Sequence, residues 1–95
     1  NITVGWDASP RTNQSEPWVG GGGADYPYMN IVVNNTPENF KKVLEMTKER
    51  LLADPNGPRA LTINCWNEWT EGSCLEPDTL YGMAYLDALK EVFGR

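Results

Sequence analysis

The chain has 95 residues, with 13 acidic and 8 basic side chains, a formal charge of −5 and no histidine. That length allows one domain at most, with a modest core, since a chain this size buries only about 60–65% of the surface its unfolded form exposes. Scattered Lys and Arg exclude a nucleic-acid partner on charge grounds, and the lack of histidine removes the usual general base and the commonest metal ligand.

Ile2-Thr3-Val4-Gly5-Trp6 reads as a first short strand, ended by Asp7-Ala8-Ser9-Pro10. A chain that opens directly on a strand is expected to be a cut from inside a larger protein. A long irregular segment runs on to about Tyr26 and contains Gly20-Gly21-Gly22-Gly23. Four glycines in a row predict a flexible loop or lid, and no Gly-Lys-Ser or Gly-Lys-Thr follows to make them a phosphate cradle. Tyr28 to Val33 is a short extended run. Thr36-Pro37-Glu38 then predicts a helix start, with Thr36 as N-cap, Pro37 at the first helical position and an acid in the first turn. Phe40, Val43, Leu44, Thr47 and Leu51 recur at helical spacing and define one apolar stripe. Asp54-Pro55-Asn56-Gly57-Pro58 ends that helix.

Ala60 to Cys65 predicts a second strand. Glu76-Pro77-Asp78 predicts a turn, with Asp78 or Thr79 capping a last helix that buries Leu80, Met83, Ala84, Leu86, Leu89 and Phe93. Strands alternating with helices argue for parallel pairing in an α/β fold. Two parallel strands with two helices cannot close a sheet or cover its edges, so the expectation is a part of a larger α/β architecture. No run is apolar and long enough to cross a membrane. Cys65 alternates into the strand as a small apolar residue, and a Cys65–Cys74 bridge remains open.

The second strand runs into Trp66-Asn67-Glu68-Trp69-Thr70-Glu71-Gly72. Two carboxylates crowded against two indoles can have their pKa values pushed apart, so that one serves as acid and the other as base. That is glycosidase equipment. Trp6-Asp7 and Asn67-Glu68 each follow a strand, which places both at the carboxyl edge of a parallel sheet, where a (β/α)8 barrel carries its catalytic residues.

Asn67-Glu68-Trp69-Thr70-Glu71-Gly72 followed by Leu75-Glu76-Pro77-Asp78 resembles the closing catalytic segment of glycoside hydrolase family 99 and its relatives, which are often labelled glycosyltransferases of lipopolysaccharide or O-antigen biosynthesis. Gly5-Trp6-Asp7-Ala8-Ser9-Pro10-Arg11 is similar to the family's preceding substrate-side segment, and Tyr81-Gly82-Met83-Ala84-Tyr85-Leu86 to its last helix. Thr70 between the glutamates, with Ser73-Cys74 after them, sets the likeness with the family 99-like group rather than the characterised mannosidases. The resemblance implies the C-terminal βα units of a (β/α)8 TIM barrel acting on α-linked, mannose-like glycans. It implies Glu68 as the base on the sugar 2-hydroxyl and Glu71 as the acid on the leaving oxygen, with a 1,2-anhydro sugar between them. The usual retaining separation of roughly 5–5.5 Å then need not hold. Trp6, Asp7, Arg11, Asn67, Trp69 and Glu76 are the expected substrate-binding residues, Asp7 and Arg11 through sugar hydroxyls and Trp69 through a stacking face; the lack of His or a CxxC arrangement argues against a metal, and no cofactor is expected.

Plainer roles stand beside these. Glu68 as a carboxylate accepting from loop backbone, Glu71 as a surface charge, Glu76 as a loop anchor and Asp7 paired with Arg11 are all compatible with the sequence. Trp66 and Trp69 fall on opposite sides if the strand continues, one in the core and one lining a cleft. Trp18 is the aromatic best placed to swing over a sugar. The partners expected are an oligosaccharide or polysaccharide, together with the remaining barrel strands or a second copy to complete the sheet. The rivals to a hydrolase are a transferase using the same carboxylates, and a non-catalytic sugar-binding or inert piece.

Overall fold

A computed structural model of the chain describes residues 1–15 and 25–94. Ile2–Thr3 (β1) pairs in parallel with Ile63–Asn64 (β2), with Ile2 opposite Ile63 and Thr3 opposite Asn64. The ladder is framed by Ile2 N–H to the Thr62 carbonyl at 2.8 Å and Val4 N–H to the Asn64 carbonyl at 3.2 Å. Alternation along β1 buries Ile2 and Val4 and exposes Thr3, the period of a strand covered on one face. Both strands are shorter than the hydrophobic runs that announce them. The run from Tyr28 to Val33 forms no strand and is tied to the fold through Val32 N–H donating to the Trp6 carbonyl at 2.7 Å.

Between the strands lies a helix over Pro37–Ala53 (α1). Its start is built from the signals in the sequence: the Thr36 hydroxyl accepts from Asn39 N–H at 3.3 Å, and Pro37 and Glu38 occupy the first turn. Pro37, Phe40 and Leu44 are buried and Thr47 and Leu51 half-buried, but Val43 is turned outward.

The last helix spans Ala84–Phe93 (α2) and starts later than expected. Asp78 does not cap it. Its carboxylate instead accepts Leu80 N–H at 2.8 Å and Tyr81 N–H, closing a turn that ends at Gly82, whose φ of 56° is left-handed. The buried face of the helix differs from the expected one in part: Ala84, Leu86 and Leu89 are half-buried as the spacing predicts, with Leu89 packed against the core. Tyr85, Ala88 and Val92 are inside, whereas Leu80, Met83 and Phe93 are exposed. Across the α1–α2 contact the Phe40 and Tyr85 rings meet edge-on with centroids 5.4 Å apart, and Tyr81 stacks edge-on to Tyr85 at 5.7 Å. Ile2, Val4, Phe40, Leu44, Tyr85, Ala88 and Val92 form the core, with each large side chain contributing roughly 1.5–3 kcal/mol.

The segment after β2 holds an antiparallel hairpin that the sequence did not announce. Asn67–Glu68 (β3) pairs with Ser73–Cys74 (β4), Asn67 opposite Cys74 and Glu68 opposite Ser73, around a 3₁₀ turn over Trp69–Glu71.

Candidate active site

Two turns meet at the carboxyl end of the parallel pair. The first is a 3₁₀ turn over Ser9–Arg11, entered by Pro10 and fixed by Asp7, whose carboxylate accepts Ser9 N–H at 2.9 Å. The second is the hairpin turn Trp69–Glu71, closed by Gly72 at a φ of 60°. They are laced together through the backbone, since Asp7 N–H donates to the Glu71 carbonyl at 2.7 Å.

Two glycines permit this approach. A Cβ on Gly72 would stand 3.1 Å from the Asp7 nitrogen, and one on Gly5 would stand 2.4 Å from the Gly72 carbonyl oxygen. Beneath them the buried Ser73 hydroxyl donates to the Gly5 carbonyl at 2.7 Å and accepts from the Asn64 amide at 3.0 Å. One oxygen thus joins the ends of β1, β2 and β4. Buried polar groups fold well only when paired in this way, and the Asn64 Oδ1 is the one buried side-chain atom among the described residues with no protein partner.

Above this scaffold Arg11 reaches both glutamates. Its Nη2 lies 3.0 Å from Glu68 Oε2 and its Nη1 lies 3.2 Å from Glu71 Oε1. Nε donates to Thr70 Oγ1 at 2.7 Å, and Nη1 also donates to the Tyr26 hydroxyl at 2.6 Å. That hydroxyl in turn donates to Glu71 Oε1 at 3.0 Å. One cation between two anions relieves the repulsion the carboxylates would otherwise feel. The Tyr26 hydrogen bond raises the guanidinium pKa above its ordinary value; burial opposes it next in size, and the charges of Tyr26, Glu71 and Glu68 add smaller upward effects. The Glu71 side chain is 17% exposed and the Glu68 side chain 46%, so both keep contact with solvent.

The residues singled out in the sequence divide accordingly. Arg11, Glu68 and Glu71 come together. Trp69 and Glu76 pair beside them, the indole Nε1 donating to Glu76 Oε2 at 3.1 Å. Asp7 does not pair with Arg11; it orders the first turn. Glu68 takes Arg11 rather than loop backbone as its partner. Trp6 contributes its carbonyl to Val32, and Asn67 sits exposed on β3 opposite Cys74. Trp66 and Trp69 are 51% and 49% exposed, so neither is core. The paired part of β2 stops at Asn64, and strand alternation does not carry through the turn. Trp18 and the glycine run lie outside the described residues.

Tyr26 and Thr70 were missed. Tyr26 is 45 positions from Glu71, and nothing in its local sequence marks it; Thr70 was visible only as a residue between the glutamates. Cys65 and Cys74 are free thiols, and burial, with the neighbouring Cys65 next, pushes the Cys74 thiol pKa up. Among the described residues no three acidic or cysteine side chains gather as metal ligands, and no helix is long and apolar enough to cross a membrane.

Two proteins of Xanthomonas campestris pv. campestris, from strains B100 and ATCC 33913 and each named Uncharacterized protein WxcX, are 35% identical to the chain over 95 residues. The match covers 99% of the chain but 12% of either relative, so the chain spans about an eighth of their length. No solved structure matches it. A family model described as Glycosyltransferase WbsX matches residues 1–89, which include both turns and every side chain of the Arg11 cluster, and the chain belongs to that family.

Proposed function

We propose that the chain is the C-terminal βα portion of a (β/α)8-barrel, family 99-like carbohydrate-active enzyme, with Glu68 and Glu71 as its acid–base pair. The observation that carries this reading is the shared guanidinium. Arg11, from the turn after β1, sits between two carboxylates from the hairpin after β2. Such residues from the ends of parallel strands converge on substrate in a barrel. The barrel itself is supported by the two-stranded sheets, whose outer edges meet no further strand among the described residues, and by exposed Ile31, Val33 and Leu80, at 47%, 66% and 77%, which neighbouring elements would cover. The small share of the WxcX relatives that the chain spans agrees with it.

On this reading the substrate is an α-linked, mannose-like glycan. Glu68 takes the proton of the sugar 2-hydroxyl, and that oxygen closes on the anomeric carbon. For the next step Glu71 enters protonated on Oε2, the oxygen that Tyr26 and Arg11 leave free, and the glycosidic C–O bond breaks as it gives that proton to the leaving oxygen. Water then attacks the anomeric carbon and yields a proton to Glu71, while the 2-oxygen departs and recovers its proton from Glu68. Both carboxylates return to their starting states. The half-exposed indole of Trp69, held by Glu76, offers a face for a sugar ring.

A second reading is favoured by the family's description as a glycosyltransferase. There the same pair would serve transfer of an activated sugar to an acceptor hydroxyl in cell-surface polysaccharide assembly. The test uses the full-length protein that carries this chain, offered α-mannosides alone and nucleotide-activated sugars with an acceptor. Hydrolysis without nucleotide is expected, with Glu68→Gln and Glu71→Gln each lowering kcat by about 10²- to 10⁴-fold. Turnover that requires the nucleotide sugar selects transfer. A substitution that leaves turnover at the wild-type level removes that residue from the acid–base pair, and glycan binding without turnover marks a sugar-binding module.

A further inference from the structure

We propose that Arg11 and Tyr26 form a clamp that positions Glu68 and Glu71, and that Arg11 is a positioning residue rather than a binder of sugar hydroxyls. The inference rests on the acid–base reading above and concerns side chains for which the resemblance implies another role or none. A guanidinium has five N–H donors. Nε gives one to Thr70, Nη1 one to Tyr26 and Nη2 one to Glu68, while Nη1 also stands 3.2 Å from Glu71 Oε1 as an ion pair. Two donors are left, but three of the five N–H groups and the charge itself are already engaged by the cluster the guanidinium stands in.

The Tyr26 hydroxyl is equally committed. It accepts from Arg11 and spends its single proton on Glu71 Oε1. The three atoms Nη1, Oη and Oε1 therefore form a closed triangle with sides of 2.6, 3.0 and 3.2 Å. A triangle fixes a carboxylate oxygen in a way that a single bond does not.

The need for a clamp follows from where the glutamates stand. Glu68 belongs to a strand of two residues and Glu71 to a 3₁₀ turn, and neither is packed in the core. Unrestrained, such side chains sample several rotamers. An acid–base pair works only when held to within about 0.5 Å of its productive geometry. The clamp supplies that restraint from sequence-distant segments, with the guanidinium plane aligned by Thr70 on the same turn as Glu71.

The test is steady-state kinetics of Tyr26→Phe, Arg11→Lys and Arg11→Ala in the full-length protein, with melting temperatures to confirm folding. Tyr26→Phe removes one hydroxyl and is expected to lower kcat about 10- to 100-fold, the range for a hydrogen bond to a charged group, with KM unchanged. Arg11→Lys keeps the charge but loses the fork, and is expected to cost about 100-fold in kcat. Added guanidinium ion should restore turnover to Arg11→Ala and not to Tyr26→Phe. A rise in KM with kcat intact in the Arg11 variants, or a Tyr26→Phe enzyme at wild-type kcat, overturns the clamp.

A second measurement separates this failure from that of the acid–base reading. Phenylglyoxal modification, mapped by mass spectrometry, should label Arg11 more slowly than Arg50 in the wild type and faster once Tyr26→Phe or Glu68→Gln is made. If the wild type has no turnover, or Glu68→Gln and Glu71→Gln retain it, the acid–base reading fails and this labelling alone decides the clamp. Arg11 labelled as fast as Arg50 in the wild type refutes it.

Discussion

Gly72→Ala is the sharpest probe of how the two turns are joined. Its φ of 60° costs an L-residue about 1–2 kcal/mol. The new methyl group would also stand 3.1 Å from the Asp7 nitrogen and 3.2 Å from its Cβ, a contact tight enough to add on the order of 1–2 kcal/mol of overpacking. The sum, about 2–4 kcal/mol, should appear as local opening of the bond from Asp7 N–H to the Glu71 carbonyl. At 1.36 kcal/mol per decade this is a loss of about 30- to 1000-fold in hydrogen-exchange protection at Asp7. Gly82→Ala is the matched control: its φ of 56° carries the same backbone strain, but its Cβ meets nothing within 4 Å. It should loosen the Asp78 turn by only about 5- to 30-fold, from strain of about 1–2 kcal/mol. The assay is exchange followed by mass spectrometry on peptides spanning Asp7 and Asp78. Equal effects at the two glycines, or an unchanged Asp7 amide in Gly72→Ala, would refute the argument that close approach at Gly72 joins the turns.

Ser73→Ala should destabilise the hairpin by about 1–3 kcal/mol, because the Gly5 carbonyl and Asn64 amide lose their shared partner in a buried place; exchange of the Cys74 and Leu75 amides reads this out. Leu44, with no exposed surface, should cost about 2–5 kcal/mol as Leu44→Ala in urea denaturation. Val43→Ala, one residue away but turned outward, should cost less than about 1 kcal/mol. Burial, with Tyr81 beside it, pushes the Tyr85 pKa up to about 12, visible as late tyrosinate absorbance in an alkaline titration. The folded form then holds this proton more tightly than the unfolded chain. Its contribution is complete below pH of about 10 and is lost as pH rises towards about 12. That contribution is at most ~2.7 kcal/mol before solvent screening reduces it, and an alkaline melting curve with no loss of stability across that window would contradict the sign.

Local signals reported local structure well. Thr36, Pro37 and Glu38 each act at the start of α1 as their chemistry predicts, because capping needs only neighbours three residues apart. The stripe on α1 was right at Phe40 and Leu44 and wrong at Val43, since helical spacing gives a face and only the partner helix decides how much of it is covered. Asp78 carried a genuine capping signal, but a turn before Gly82 and a helix ask for the same carboxylate, and the turn took it. The hairpin was invisible because two-residue strands have no periodicity to detect. At the site, the pair Glu68 and Glu71 was legible from spacing. Their link to Arg11 and Tyr26 was not, because pairing across 57 and 45 positions leaves no pattern in a single chain.

The Ser73 hydroxyl has a consequence for how the chain tolerates changes of length. Because it is bonded at once to residues at the ends of β1 and β2, the path from Asn64 to Ser73 is of fixed length. A single inserted residue there must either bulge out of the hairpin or carry Ser73 off both partners. The connection after α1 answers differently. Asp54 holds its own short turn through Asn56 and Gly57, and none of those bonds reaches the site. Loop grafts, tags and natural insertions should therefore be accepted around 55–60 and rejected between 65 and 72, a spacing rule that can be read from the lengths of homologous chains without knowing their substrates.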